Sequence, residues 1–182
     1  LLSMRSKQQR VLYPCTNSGY GVGQKDRFCT EETPLKPISL YGRLKAEAEK
    51  LVLAGENTVS LRLATVFGPS PRMRRDLLVN DFTWRAMREG RLDVYEGGAR
   101  RNYVHVADVA RVFRLLLERK QPLTGAFNFG HDSINLSKWD LAQMVGRMVR
   151  ARYERGVTVV AGEGADLDLR DYVVSSDKLA GH

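Results

Sequence analysis

The alternation of strand-like and helix-like segments near the amino-terminal end is what most constrains the fold of this sequence. Residues 11–16 form a short apolar run that ends in turn residues, which predicts a buried strand. Residues 39–54 have a helical pattern with Ser39 as the cap, and residues 58–67 predict a second strand. The predicted apolar face of this helix contains Ala46, Leu51 and Leu53. Because strand, helix and strand in succession favour a parallel sheet, the sequence predicts an α/β fold.

The rest of the chain continues this mixed pattern. Helices are predicted over residues 76–89 and 107–119 and after Ser137, and strands over residues 92–95, 101–106, 125–129 and 157–160. The last helix has its predicted inner face at Leu141, Met144, Val145 and Met148. Neither an internal repeat nor a linker is visible, so we expect one α/β body.

Composition limits the partners of such a body. The 29 Lys and Arg residues exceed the 21 Asp and Glu residues, which gives a formal net charge of +8. Basic clusters bind nucleic acid, but here arginines crowd only at residues 72–75 and 100–101, two stretches that we expect to be loops. A solvated face or a site for a small ligand's phosphates explains them better. We therefore predict no nucleic-acid partner and, without an apolar run of roughly 20 residues, no membrane span.

The cysteine and histidine residues indicate neither a disulfide framework nor a metal site. Cys15 and Cys29 lack the C-x-x-C spacing, which predicts ordinary thiols in a reducing, cytoplasmic environment. Burial in an apolar strand is expected to raise the pKa of the Cys15 thiol. The three histidines are isolated, so no metal is predicted, and His105 is expected to be a buried structural residue.

Tyr41 and Lys45 place a phenol and an ammonium group on one face of the first predicted helix. A cation at that spacing favours the ionised phenol, which can then donate and accept protons near neutrality. Thr16 ends the preceding strand, where ligands bind in open α/β sheets. An exposed tyrosine beside a solvated lysine is the alternative that the spacing alone leaves open.

Five segments in order, at residues 16–21, 41–45, 61–69, 101–109 and 170–172, resemble the extended short-chain dehydrogenase/reductases. This is the NAD-dependent epimerase/dehydratase family, which acts on nucleotide sugars. The resemblance covers residues 11–179 and implies a partial Rossmann-like parallel sheet with helices on both faces plus a small carboxyl-terminal substrate-binding lobe. Residues 1–70 would be the second half of the NAD-binding domain, and residues 71–182 mainly the lobe, with residues 101–130 partly returning to the Rossmann body.

The resemblance also implies roles for individual residues. Tyr41 would be the catalytic tyrosine, Lys45 the lysine that holds the nicotinamide ribose, and Thr16 the residue that hydrogen-bonds the reacting sugar oxygen. Ala64 would line the nicotinamide of NAD or NADP, while Thr65 would contact substrate. Arg101 and Arg170 would grip the substrate's diphosphate, although surface salt bridges are the alternative for both arginines.

Departures from the family pattern reduce the number of reactions that we expect of this chain. Sugar-nucleotide 4,6-dehydratases have an acid pair where this chain has Asn17 and Ser18, which cannot exchange protons near neutrality. Thr65 replaces the usual asparagine and Asn102 the usual aspartate, so the substrate geometry differs from that of the commonest epimerases. Dehydration is therefore not expected.

A second departure concerns the cofactor. A dinucleotide fold needs a glycine-rich turn after its first strand, and residues 19–23 imitate one without a third glycine at the required spacing. We expect these residues to form a loop over the site and the chain to correspond to the carboxyl-terminal portion of a family member. The predicted function is a nucleotide-sugar epimerase that uses reversible hydride transfer. An NAD(P)-dependent keto-sugar reductase or a non-catalytic or truncated relative is the alternative, and a homodimer is an option that the sequence leaves open.

Overall fold

The fold is that of a computed structural model, in which residues 2–24, 27–163 and 170–182 are described. The strands β1 to β10 are Val11–Thr16, Phe28–Cys29, Thr58–Leu63, Thr65–Phe67, Arg91–Val94, Arg100–His105, Gly125–Phe129, Asn135–Ser137, Thr158–Ala161 and Val173–Val174. The helices α1 to α5 are Leu40–Leu53, Leu78–Arg88, Val106–Glu118, Lys138–Tyr153 and Asp177–Ala180. Short 3-10 helices lie at Leu2–Met4, Asn17–Tyr20 and Asp132–Ile134.

Three parallel strands, in the order β1, β3 and β7, form the sheet that carries the amino-terminal half of the fold. β3 lies in the middle, so both of its edges are hydrogen-bonded, and its side chains point alternately to the two faces of the sheet. Val59 and Leu61 point to one face, where they pack against Val112 and Leu116 of α3. The predicted parallel α/β sheet is thus confirmed.

The opposite face of β3 is covered by α1 through polar contacts. Ser60 and Arg62 of β3 both hydrogen-bond to Glu49 of α1, which is buried. The prediction that Leu51 lies on the inner face of this helix is wrong, because its side chain is 70% exposed. Gly42, Ala46 and Glu49 are the buried residues of α1. The inner face of α1 thus contains the carboxylate of Glu49 and not the side chain of Leu51.

The predicted strand over residues 58–67 is in fact two strands that belong to different sheets. Ala64 still donates its N–H to the carbonyl of Phe129 at 2.8 Å, and the chain then leaves the sheet. β4 pairs instead with β6, which also pairs with β8 in antiparallel fashion. The chain therefore changes sheets at Ala64, which lines a cavity together with Thr65.

The second half of the chain has its own core between α2, α4 and the β5–β9 pair. Large members of this core include Phe82, Leu92, Tyr103, Leu141 and Val149. Met148 does not belong to it, contrary to the sequence prediction. Its side chain is 65% exposed and lines an apolar cavity of about 640 Å³ between α2 and α4.

Near the carboxyl-terminal end of the chain, β10 pairs in parallel with β2. Tyr172 and Val174 pack there against Tyr20 and Cys29. This packing brings Arg170 next to the 3-10 helix that follows β1. In the described ranges, no helix is both long and apolar enough to cross a membrane.

Candidate active site

A cavity of about 550 Å³ opens where the carboxyl ends of β1 and β3 meet α1. Its wall contains six of the residues singled out from the sequence, namely Thr16, Tyr41, Lys45, Ala64, Thr65 and Arg170. They come from separate segments of the chain. Their convergence at the carboxyl edge of a parallel sheet is the usual position of a ligand site in open α/β folds.

The start of α1 places Tyr41 and Lys45 at this cavity. The Ser39 hydroxyl caps the helix by accepting the N–H of Gly42 at 3.0 Å. The phenol of Tyr41 is 57% exposed, so it is open to a ligand. One turn later, the Lys45 ammonium donates to the carbonyl of Pro14, which attaches the side chain to the end of β1.

Thr16 and Ser18 form a small hydrogen-bonded unit after β1. Thr16 caps the 3-10 helix, because its Oγ1 accepts the Ser18 N–H at 3.1 Å, and the two hydroxyl oxygens are also 3.1 Å apart. The guanidinium of Arg170 donates to Ser18 Oγ. Residues 17–20 are buried in this helix, so the expectation that residues 19–23 form a loop over the site is wrong for Gly19 and Tyr20.

Ala64 and Thr65 reach the cavity because the chain changes sheets between them. Arg74 also lines the cavity, and the sequence prediction did not include it among the site residues. Its guanidinium binds the Asp76 carboxylate, with Nε 3.1 Å from Oδ1, and this hydrogen bond raises the pKa of Arg74 and lowers that of Asp76. The sequence feature that could have identified Arg74 is the cluster of arginines after Gly68 and Pro69.

Arg101 lines a second cavity of about 340 Å³ rather than the first. The two cavities share the wall residues Thr65, Arg74, Leu77 and Arg170. Arg101 is 4% exposed and lies on β6, as the predicted strand over residues 101–106 implies, so the expectation of a loop at residues 100–101 is wrong. Its guanidinium lies 5.5 Å from the centroid of the Tyr172 ring and donates to the carbonyl of Arg100 at 2.8 Å.

The histidine and cysteine side chains stand outside this arrangement, apart from Cys15, which contributes to the wall. Burial, followed by the negative charge of Glu49, raises the pKa of Cys15 to about 11, as expected from the sequence. His105 is half-buried rather than buried, and its Nδ1 accepts the N–H of Ala107 to cap α3. Within the described residues, no three His, Cys, Asp or Glu side chains group as metal ligands.

A parallel sheet with helices on both faces and a Thr, Tyr and Lys set at its carboxyl edge is typical of Rossmann-like short-chain dehydrogenase/reductases. Comparison with protein families agrees with this class. The model of the NAD dependent epimerase/dehydratase family matches residues 1–130. The chain therefore belongs to the NAD-dependent epimerase/dehydratase family.

Individual relatives are longer than this chain. The "Uncharacterized 37.6 kDa protein in cld 5'region" of Escherichia coli O111:H- is 35% identical over 112 residues, which cover 58% of this chain and 33% of that protein. Among solved structures, the UDP-glucose 4-epimerase of Thermus thermophilus in complex with NAD has a TM-score of 0.75 and 26% identity. That match covers 96% of this chain and 58% of the epimerase.

The dTDP-glucose 4,6-dehydratase of Bacillus anthracis has a TM-score of 0.76 and 22% identity, over 96% of this chain and 55% of the dehydratase. At that identity, the likeness shows the fold alone. The chain thus spans a third to somewhat over half of the length of the proteins that it resembles.

Proposed function

We propose that this chain carries the catalytic residues and the nucleotide-sugar site of an epimerase that works by reversible hydride transfer at a sugar carbon. The observation that carries the proposal is the meeting of Thr16, Tyr41 and Lys45 in one cavity. These side chains supply a hydrogen-bonding hydroxyl, an exposed phenol and a cation. Similarity to an NAD-bound UDP-glucose 4-epimerase supports the same reaction class.

In the proposed mechanism, the phenol oxygen of Tyr41 takes the proton of a sugar hydroxyl while the carbon beneath loses a hydride. Lys45 supplies a positive charge in the same cavity, and its bond to the Pro14 carbonyl holds it in place. Thr16 hydrogen-bonds the sugar oxygen as it becomes a carbonyl. Return of the hydride to the opposite face of the keto sugar, with the proton returned by Tyr41, completes the epimerisation.

The described residues suit the nicotinamide end of the cofactor. When bound, a nicotinamide accepts the hydride and gives it back. Pro14, Cys15, Leu63 and Ala64 form an apolar wall for such a ring next to Tyr41 and Lys45. Gly19 and Gly21 flank the end of a 3-10 helix rather than a strand-to-helix turn, so the described part of the chain does not provide the usual cradle for the dinucleotide's phosphates.

The residues after Thr16 favour hydride return over elimination of water. Asn17 and Ser18 occupy the positions of the dehydratase acid pair, and neither an amide nor an alcohol exchanges protons readily near neutral pH. Ser18 is moreover engaged with Thr16 and Arg170. The choice between NAD and NADP, the cytoplasmic location, the homodimer and the correspondence to a carboxyl-terminal portion stay predictions.

The test is a turnover assay on a fusion in which the glycine-rich half of a relative precedes residue 1, supplied with NAD and C4-deuterated UDP-glucose. We expect the C4 epimer with its deuterium retained and no net cofactor reduction, as required when the hydride returns to the same carbon. Release of a keto sugar with net reduction of NAD would instead indicate a reductase. Binding of the nucleotide sugar without any turnover would indicate a non-catalytic relative.

A further inference from the structure

The apolar cavity between α2 and α4 lies apart from the candidate active site. Among the described residues, it shares no wall residue with the cavity that contains Tyr41 and Lys45. Its wall includes Val79, Leu141 and Val145, which also belong to the core of the second half of the chain, so the cavity reaches down to that core. A ligand bound here would be independent of the proposed hydride transfer.

Three polar side chains in the wall of the apolar cavity already hydrogen-bond to the backbone. The amide of Asn80 donates to a carbonyl at 2.9 Å and accepts an N–H at 3.2 Å. The hydroxyl of Thr83 donates to a carbonyl one turn earlier in α2 at 2.7 Å, and Nδ1 of His105 caps α3. The surface that remains is almost entirely apolar, which favours an apolar ligand.

Methionines make this wall adaptable. Met73, Met87, Met144 and Met148 all line the cavity, and an unbranched thioether side chain adjusts to the shape of an apolar ligand. Met148 is 65% exposed, so part of the apolar face of α4 stays in contact with water. The volume of about 640 Å³ lies within the range of roughly 300–1,000 Å³ that is usual for small-ligand sites. An alkyl chain in the cavity would remove this apolar surface from water.

Two exposed arginines stand beside the apolar cavity at Trp84, which lines it and is itself 42% exposed. The guanidinium carbon of Arg75 lies 4.7 Å from the centroid of the Trp84 ring, and that of Arg88 lies 5.5 Å from it. Within residues 2–24, 27–163 and 170–182, neither guanidinium has a carboxylate partner. An anionic group at this edge of the cavity would gain charge-assisted hydrogen bonds.

We propose that the apolar cavity binds a fatty acid, with the alkyl chain against the methionines and Trp84 and the carboxylate at Arg75 and Arg88. The apolar wall alone would accept a neutral hydrocarbon equally well. The two guanidinium groups beside it favour an anion, so the combination selects a molecule with an apolar chain and a negatively charged head. The cavity lies between two helices above the core, which suits a single chain.

The test measures binding of decanoate to the 182-residue chain by calorimetry, at concentrations at which decanoate is monomeric. We expect saturable binding, and an affinity for octanoate that is about tenfold lower because two fewer methylene groups are buried. Arg75→Gln combined with Arg88→Gln should lower the affinity for decanoate about tenfold and leave that for the neutral decanol unchanged. Arg114→Gln is the control, since Arg114 is exposed on α3 and lies outside the cavity.

Two further variants locate the ligand. Met148→Glu places a carboxylate in the wall and should lower the affinity for decanoate at least tenfold. Leu115→Glu is its matched control, because Leu115 is 60% exposed on α3 and lies outside the cavity. Trp139→Phe leaves Trp84 as the sole tryptophan, whose fluorescence should change as decanoate binds.

Equal affinities of Met148→Glu and Leu115→Glu for decanoate would overturn the inference, and so would binding of decanol without binding of decanoate. If the chain binds vesicles of anionic phospholipid but no monomeric decanoate, the surface contacts membranes and the fatty-acid site is likewise overturned. The fluorescence of Trp84 decides even where Met148→Glu fails to fold, because Trp139 does not line the cavity. A signal that decanoate leaves unchanged overturns the inference.

Discussion

Glu49 and Arg62 form a buried ion pair that joins α1 to β3, with Nη2 of Arg62 2.7 Å from Oε1 of Glu49. The Ser60 hydroxyl donates to the other carboxylate oxygen at 2.6 Å. On its far side, Arg62 donates to the hydroxyl of Tyr20 at 3.0 Å. The pair therefore connects the helix of Tyr41 with β3 and with the 3-10 helix after Thr16. We expect it to hold the elements of the candidate site in register.

Removal of one partner of this pair should destabilise the fold strongly. In Glu49→Gln, the Arg62 charge stays buried without its counter-ion, which costs about 3 kcal/mol of the free energy of unfolding. Urea denaturation of the chain measures this loss. Glu47→Gln is the control, since Glu47 binds Lys50 at the surface and its loss should cost at most about 0.5 kcal/mol. Equal effects of the two substitutions would contradict the structural role of the buried pair.

The Glu49–Arg62 pair also makes the free energy of unfolding depend on pH in acidic solution. Burial alone would raise the pKa of Glu49, but hydrogen bonds from Arg62 and Ser60 outweigh it and lower this pKa below its ordinary value. A carboxyl group with a lowered pKa contributes stability above its unfolded pKa, about 4.3, and the contribution is lost as the pH falls through the folded pKa. The difference between wild type and Glu49→Gln should thus be constant above roughly pH 5 and shrink in more acidic solution. A constant difference throughout a pH series of denaturation curves would refute this linkage.

The sequence predicted the convergence of Thr16, Tyr41 and Lys45 because strand order fixes it. A parallel pair of β1 and β3 with α1 between them in the chain places the end of β1 beside the start of α1. Periodicity of apolar residues predicts these elements, whereas the grouping of the three side chains as one site came from the resemblance to the family.

Buried charges could not be predicted in this way. Glu49 is an inner residue of α1, where Arg62, thirteen positions later in the sequence, binds it from β3. The contact of Lys138 with the Tyr95 carbonyl likewise joins distant segments, and the break at Ala64 depends on which strand pairs with β4. Local patterns of polar and apolar residues carry no information on such pairings.

Both cysteines should resist thiol reagents in the folded chain. Burial raises the pKa of Cys29, and for Cys15 burial and the charge of Glu49 raise the pKa to about 11. At pH 8, a thiol with that pKa is about 0.1% thiolate, against about a quarter for an ordinary cysteine. We expect labelling of Cys15 by a disulfide reagent to be slower by a factor of about 100 or more than in guanidinium chloride, and labelling of Cys29 to be slower as well. Rapid reaction of the native chain would contradict the burial.

Gly130 lies where the sheet meets the candidate site, and a side chain there has no room. A Cβ atom at this position would overlap Oδ1 of Asn102 and lie 2.9 Å from the Cβ of Ala64. Asn102 is fully buried and donates to the carbonyl of His131, so it cannot easily move. Gly130→Ala should lower the free energy of unfolding by about 2 kcal/mol or more through overpacking. Gly156→Ala, with open space around its Cβ, should change it little, and denaturation curves compare the two.

Tyr41→Phe should lower turnover without changing the stability of the fold. The phenol is 57% exposed, so loss of its hydroxyl should leave the free energy of unfolding and the binding of UDP nearly unchanged. Turnover by the fusion described above should fall by about 10²- to 10⁴-fold, because the proton of the sugar hydroxyl loses its acceptor. Tyr153→Phe is the matched control, since Tyr153 is 59% exposed at the end of α4 and lies outside both cavities. If Tyr41→Phe turns over like Tyr153→Phe, another group accepts the proton and the proposed mechanism is wrong.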